Sequence, residues 1–299
     1  MQSQRIERLS HAQRERLAYI DFRLYFMGEV GRPDLARRFG VAPAGATRDL
    51  ALYREIAPRN IVFDGSSKVY RIGKAFSPVF EHSAARVLSV LAHGFGDGVD
   101  VDPQPLLPCE SPTVLSNPDM AVLAPVCRAI HAGRPVAIRY HSMSSGVSNR
   151  VIVPFALVDT GLRWHVRAFD RRHGEFRDFV ITRIEAPQEL DEVPQPNELP
   201  GNDIQWTRIV ELDFVPHPRL ARPEIVCMDY GMTEGVLHVR VRAAVAGYML
   251  LRWSVDCSPD HRLAEEQYRL WLADPLALYG VENARLAPGY QPPVKQQEP

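Results

Sequence analysis

The chain has 299 residues, 45% of them hydrophobic and 24% charged, a composition that fits a soluble globular protein of two or three domains. No apolar run approaches the ~18–20 residues a membrane span needs. The charged start MQSQRIERLSHAQRERLAYI lacks the apolar core of a secretory signal, so a cytoplasmic protein is expected.

The net charge of −1 divides unevenly. Residues 1–75 carry 14 Lys and Arg against 8 Asp and Glu, a net of +6, and the remainder carries 21 against 28, a net of −7. A basic head on an acidic body is expected to meet a polyanion. Within that head, Leu17, Ile20, Leu24 and Met27 at helical spacing predict a helix over 11–30. The stretch PDLARRFGVAPAGATRDLALYRE then predicts two short helices. Pro33 suits the first turn of one and Pro43 that of the other, with Gly40 at the sharp turn between them. Small residues at Ala36, Gly40 and Ala46 let the helices cross closely, as in a helix-turn-helix. The second helix offers Ala44, Thr47 and Arg48 outward: a small residue for close approach, a hydroxyl, and a guanidinium that suits guanine or phosphate. Ala42 stands where Ser or Thr would normally cap that helix.

Ile61–Phe63 and Lys68–Ile72 flank the turn residues Asp64-Gly65-Ser66-Ser67 and predict a β-hairpin. This order makes a winged helix-turn-helix, with Lys68 and Arg71 on the wing and Arg32 and Arg38 extending the basic footprint. A further helix is expected over 78–93 with Pro78 in its first turn, then a Gly- and Pro-rich connection over 94–118. Another helix near 119–132 precedes four strand-like runs at 136–142, 150–158, 162–170 and 175–184. One helix and a compact meander predict a small, bent β-barrel. A second Pro-rich linker covers 186–205. Strands at 209–215 and 236–241 then mix with helices expected at 219–228, 247–253 and 265–273, and the tail 291–299 is expected to be disordered.

Alternation places His165 and Arg167 on one face of the third barrel strand, Tyr140 and Ser142 together on the first, and Arg177 and Arg183 on the last. Converging, they would make a pocket of guanidiniums, an imidazole and hydroxyls suited to a phosphate-bearing ligand. Taken singly, each residue fits a surface charge or a satisfied core group as well. The four cysteines form no CxxC pair, and no HExxH, GxSxG, P-loop or GxGxxG occurs. No metal, cofactor or catalytic activity is expected.

The block PFALVDTGLRWHVRAFD, with YHS upstream and DFVITRI downstream, resembles a WYL domain, a bacterial Sm/SH3-like barrel of transcription regulators, here with Trp164-His165-Val166 as the eponymous triplet. RPDLARRFGV, DLALYREIAPRNIVFD, VPHPRLARPEIVCMDYGM and LLRWSVD resemble the BrxR/CapW group of WYL-domain regulators of phage-defence operons. The resemblance implies an α+β, multidomain chain. It has a winged helix (1–75), a connecting helix and linker (76–118), a WYL sensing domain (119–186), a linker (187–205) and a C-terminal α/β extension, the WCX domain, that dimerises (206–290). It further implies a homodimeric repressor on an inverted-repeat, double-stranded operator. A nucleotide or oligonucleotide effector would be held by Tyr140, Ser142, His165, Arg167 and Arg183. The other reading of the same composition is an RNA or single-stranded nucleic-acid-binding module without operator specificity.

Overall fold

The computed structural model describes residues 2–95, 105–110, 112 and 115–292. They divide into two compact units, residues 1–112 and 113–299.

The first unit begins with α1 (Gln2–Glu7) and α2 (His11–Phe22), the latter started by a reciprocal capping pair between Ser10 and Gln13. The long helix expected over 11–30 ends early. It loosens into a π-turn over Arg23–Met27, and Gly28 closes it in the left-handed conformation (φ +78°). The chain then extends as β1 (Glu29–Val30), which becomes a third strand of the wing sheet. Next come α3 (Arg32–Phe39) and α4 (Pro43–Ile56). Gly40 turns between them at φ +62°, a region in which a β-carbon is strained. The wing is β2 (Ile61–Asp64) paired antiparallel to β3 (Val69–Ile72), in the sheet order β1-β3-β2. Leu17, Ile20, Leu24, Leu35, Ala46, Leu50 and Tyr53 close one core beneath both helices and the wing.

The helix expected over 78–93 is shorter than its pattern suggests. α5 spans Ala84–His93, begun by Ser83, whose hydroxyl accepts from the Arg86 amide. Residues 78–82 stay out of the helix, with a bend at Val79 and Phe80, where the Val79 amide and the His82 ring are bound to the carboxylate of Asp21, a partner far away in sequence. Much of the connection read over 94–118 lies outside the described residues, as does the tail from 293 on.

In the second unit α6 (Met120–Ala132) packs on the sheet β4 (Val136–Ser142), β5 (Gly146–Asp159), β6 (Trp164–Asp170), β7 (Glu175–Val180) and β8 (Ile184–Glu189). Its order is β7-β6-β5-β4-β8, so the sheet is open and not the closed barrel expected. The last strand-like run is broken by a 3₁₀ turn over Ile181–Arg183, which carries the chain from one edge of the sheet to the other. β8 therefore lies against β4, in a stretch read in part as linker, and no β7–β8 pairing closes the ring among the described residues. The sheet still bends strongly, at irregularities between Pro154 and Ala156 and between Ala137 and Arg139.

Beyond α7 (Ile204–Thr207) come β9 (Ile209–Pro216), α8 (Pro223–Tyr230), β10 (Leu237–Arg242), α9 (Ala243–Arg252), β11 (Val255–Asp256) and β12 (Leu270–Leu272), with the sheet order β10-β9-β12-β11. The helix expected over 265–273 is absent. Leu270 and Leu272 alternate into the core as a short strand between β9 and β11, a period of two instead of 3.6. No helix of the described residues is long and apolar enough to cross a membrane.

Candidate DNA interface and sensor site

Helix α4 is held from below and open above. Its inner face buries Ala46, Leu50, Tyr53 and Ile56. Asp49 adds a two-pronged ion pair to Arg16 of α2, at 2.6 and 3.2 Å, which fixes the helix about its own axis. Outward lie Ala44, Thr47 and Arg48, all exposed; Ala44 and Arg48 border a surface concavity of about 420 Å³ that also involves Gln13 and Gly45. The Thr47 hydroxyl donates to the Pro43 carbonyl at 2.9 Å, which occupies its proton and leaves its lone pairs outward. Arg32 is exposed at the start of α3.

The basic residues predicted for the head fall into two kinds. Arg48, Arg32 and Lys68 are exposed, and Lys68 sits in the wing turn at φ +59°. Arg71 instead lies 2.9 Å from Asp64 and 3.5 Å from Glu29, so two carboxylates already offset its charge. Hydrogen bonds from Ser66, then Arg71 and Ser67, hold the Asp64 carboxyl far below the usual carboxylate range. Arg38 stacks over Phe95 at 4.1 Å and flanks Phe39 and Tyr19. Its guanidinium therefore serves the packing of the head.

The six residues expected to line a ligand pocket do not gather on one face. β6 is buried on both sides. Val166 and Ala168 turn towards α6, whereas His165, Arg167 and Phe169 turn towards the segment after the sheet. Tyr140 belongs to the α6 side. It packs edge-on against Phe179, and its hydroxyl accepts from the Val180 amide at 3.2 Å. Arg177 lies opposite Ala168, on that same side, paired with Glu175. Ser142 ends β4, where its hydroxyl organises the Ser144–Ser145 turn.

On the other side, Arg167 is enclosed. Its guanidinium forks onto Asp203 at 2.8 and 3.0 Å and reaches Asp178 at 3.3 Å. Asp203 in turn caps α7 by accepting from the amides of Gln205 and Trp206. Tyr248 of α9 donates to Asp178 at 3.1 Å and lays its ring 5.2 Å from that of His165. Burial raises the Asp178 carboxyl above its ordinary range, only partly opposed by Arg167. Three of the five N–H groups of Arg167 are given to these carboxylates, and the buried guanidinium has its charge already matched, so it is poorly placed to receive an anion.

His165 differs. It is 5% exposed, and its Nδ1 has no hydrogen-bond partner among the described residues. Burial, then the positive charge of Arg163, pushes the imidazole down to about 4, with Arg183 adding to it. Arg163 and Arg183 are thus the cations whose charge is felt at His165. Arg163 was missed by the sequence reading, although it directly precedes Trp164-His165 in the strand pattern. Asp178, Asp203 and Tyr248 were missed because nothing local marks them.

This geometry has a pH consequence. His165 has a lower pKa in the folded chain than the ~6.5 of an unfolded one. Its contribution to stability is thus full above about 6.5 and is lost as pH falls towards 4. The unfolding midpoint of the full chain should drop over that window, and the drop should be smaller in His165→Gln. An unchanged slope in His165→Gln would show that other groups carry the acid sensitivity.

Comparison with known families extends over most of the chain. Residues 12–93 match the BrxR transcriptional regulator winged helix-turn-helix domain, 121–189 the WYL domain, and 209–278 the BrxR transcriptional regulator C-terminal dimerization domain. A protein of Escherichia coli (strain KTE188) named DNA-binding transcriptional repressor CapW is 32% identical over 284 residues, covering 90% of this chain and 91% of its own. A protein of the same name from Pseudomonas aeruginosa is 30% identical over 258 residues, covering 82% and 83%. Among solved structures, PafBC of Arthrobacter aurescens aligns with 91% of this chain at 17% identity and a TM-score of 0.25; the chain spans 47% of it, and the likeness carries no weight here. The three matched domains in this order, with relatives alike over nearly their whole length, show that the chain belongs to the BrxR/CapW family of WYL-domain transcriptional regulators.

Proposed function

We propose that this protein is a sequence-specific, DNA-binding transcriptional repressor that acts as a homodimer and has no catalytic role. The observation that carries the reading is α4. It is clamped underneath by Arg16–Asp49, leaves Ala44, Thr47 and Arg48 exposed, and is followed directly by a wing bearing Lys68. Two such helices from a dimer would occupy successive major grooves of an inverted repeat. The names of the CapW relatives and of the matched dimerization domain support the same assignment.

The division of labour in the head is open to test. Lys68 would touch phosphate alone, so Lys68→Ala should weaken binding to all DNA sequences alike and reduce the slope of log K against log salt by ~1. Arg71→Ala should change that slope less, since Asp64 and Glu29 already balance its charge. Equal effects of the two substitutions would contradict this reading of the wing.

The second half of the proposal concerns control. An anionic effector, a nucleotide or short nucleic acid, would enter beside His165, with Arg163 and Arg183 supplying charge and the unpartnered Nδ1 a hydrogen-bonding group. His165 lies against Tyr248, and Tyr248 against Asp178, so a ligand there would press on α9 of the C-terminal domain. An effector that binds one dimer arrangement better than another would release the operator, here proposed to govern a phage-defence operon. Arg163→Ala with Arg183→Ala should remove the response to effector and leave operator affinity near that of the parent. Operator affinity measured with and without nucleotides and oligonucleotides tests this. A double variant that responds as the parent does would place the effector elsewhere.

A further inference from the structure

Resting on the DNA-binding reading above, we propose that Asp21 is a positioning residue that ties the recognition helix α4 to the segment by which the chain leaves the wing. Asp21 lies on α2 and is fully buried. Its carboxylate accepts from Tyr53 Oη of α4 at 2.5 Å, from the Val79 amide at 3.1 Å and from His82 Nε2 at 2.9 Å. Asn60, just before the wing, reinforces both sides of this bridge. Its Nδ2 donates to Tyr53 Oη at 3.1 Å and to the Ser77 carbonyl at 2.6 Å, and its Oδ1 accepts from the Ser77 amide at 3.0 Å.

The arrangement costs more than a core packing role needs. A fully buried carboxylate is expensive to desolvate, and an apolar residue would fill the space at lower cost. What the carboxylate adds is direction. It joins three elements that share no sheet, and none of the three can shift without breaking a hydrogen bond to a buried polar group. Tyr53 lies on the face of α4 opposite Arg48, so its hydroxyl sets how far the helix tilts towards DNA. His82 sits among the rings of Phe22, Tyr25 and Phe26, and only Ser83 separates it from α5. Every covalent path from the head to the rest of the chain runs through residues 77–83. A pull on that segment reaches the recognition helix through Asp21.

The test uses the full-length chain and a randomised duplex DNA library, with affinities expressed per active protomer after stoichiometric titration. Tyr53→Phe removes the link to α4, and His82→Leu removes the side-chain link to the exit segment while keeping the ring pocket filled, leaving there the weaker hold of the Val79 amide. Each should weaken binding to the sequence enriched by the parent roughly five- to tenfold and shift the enriched base preferences. Because the two links act in series, the combined variant should be hardly worse than the weaker single one. His82→Gln, which restores a donor, should recover much of the loss. A merely structural role would lower the active fraction and the melting temperature with base preferences unchanged, and that result overturns the proposal. So do losses that multiply in the combined variant. Failure of the parent itself to enrich any DNA sequence would instead defeat the DNA-binding reading, and is told apart by that control.

Discussion

Arg167→Ala should destabilise the second unit by about 3–5 kcal/mol, the expected consequence of stripping the cation from a buried ion cluster. Asp178 and Asp203 would be left facing each other with side chains no more than a tenth exposed. Their remaining partners are the Tyr248 hydroxyl and the amides that open α7. Arg167→Lys should recover little of the loss, because an ammonium cannot make the two-pronged contact to Asp203 and reach Asp178 as well. Thermal and urea unfolding of the full chain would measure both effects. A loss below about 1 kcal/mol for Arg167→Ala would mean that the two carboxylates take up protons at little cost, and the guanidinium would then be free for another task. The same substitution is a poor probe of ligand binding, since lost response would follow from lost structure.

Arg48→Ala should weaken binding to the preferred DNA by ~1–3 kcal/mol and blur the preference at one base position, as removal of a guanidinium from a guanine edge does. Thr47→Ala should cost less, because the Thr47 proton is already given to the Pro43 carbonyl. Competition against duplexes altered one position at a time separates the two outcomes. Uniform weakening over all sequences would make Arg48 a phosphate contact. No weakening would mean that α4 is not the reading helix.

Much of the head was legible because its signals are local. Pro33, Gly40 and Pro43 mark helix starts and a left-handed turn within a dozen residues, and the wing follows from alternation around Asp64–Ser67. Where the outcome depended on distant partners, the sequence misled. Residues 78–82 have a helical pattern but are kept out of the helix by bonds to Asp21, a residue distant in sequence. Residues 265–273 contain helix-forming residues, yet Leu270 and Leu272 are claimed by a sheet in which their neighbouring strands lie near 210 and 255. The open sheet has the same origin, for a 3₁₀ turn of three residues decides which edge β8 joins.

The residues expected to line a ligand pocket show the limit most clearly. Alternation located His165 and Arg167 on one face of β6, and the structure has them there. It did not reveal that this face is covered, that Asp203 and Asp178 enclose Arg167, or that Tyr140 and Arg177 lie on the opposite side of the sheet. Those facts depend on residues 203 and 248, which bear no local mark of their role.

Enrichment of a randomised duplex DNA library by the intact protein, with an equal amount of arbitrary RNA as competitor, decides whether the protein reads DNA sequence. The expected result is one enriched inverted repeat, with half-site centres one helical turn apart or a multiple of it, bound by two protomers and blurred at one base position of each half-site in Arg48→Ala. Retention of RNA and DNA alike with no enriched sequence would contradict it, and would favour a nucleic-acid-binding module without operator specificity.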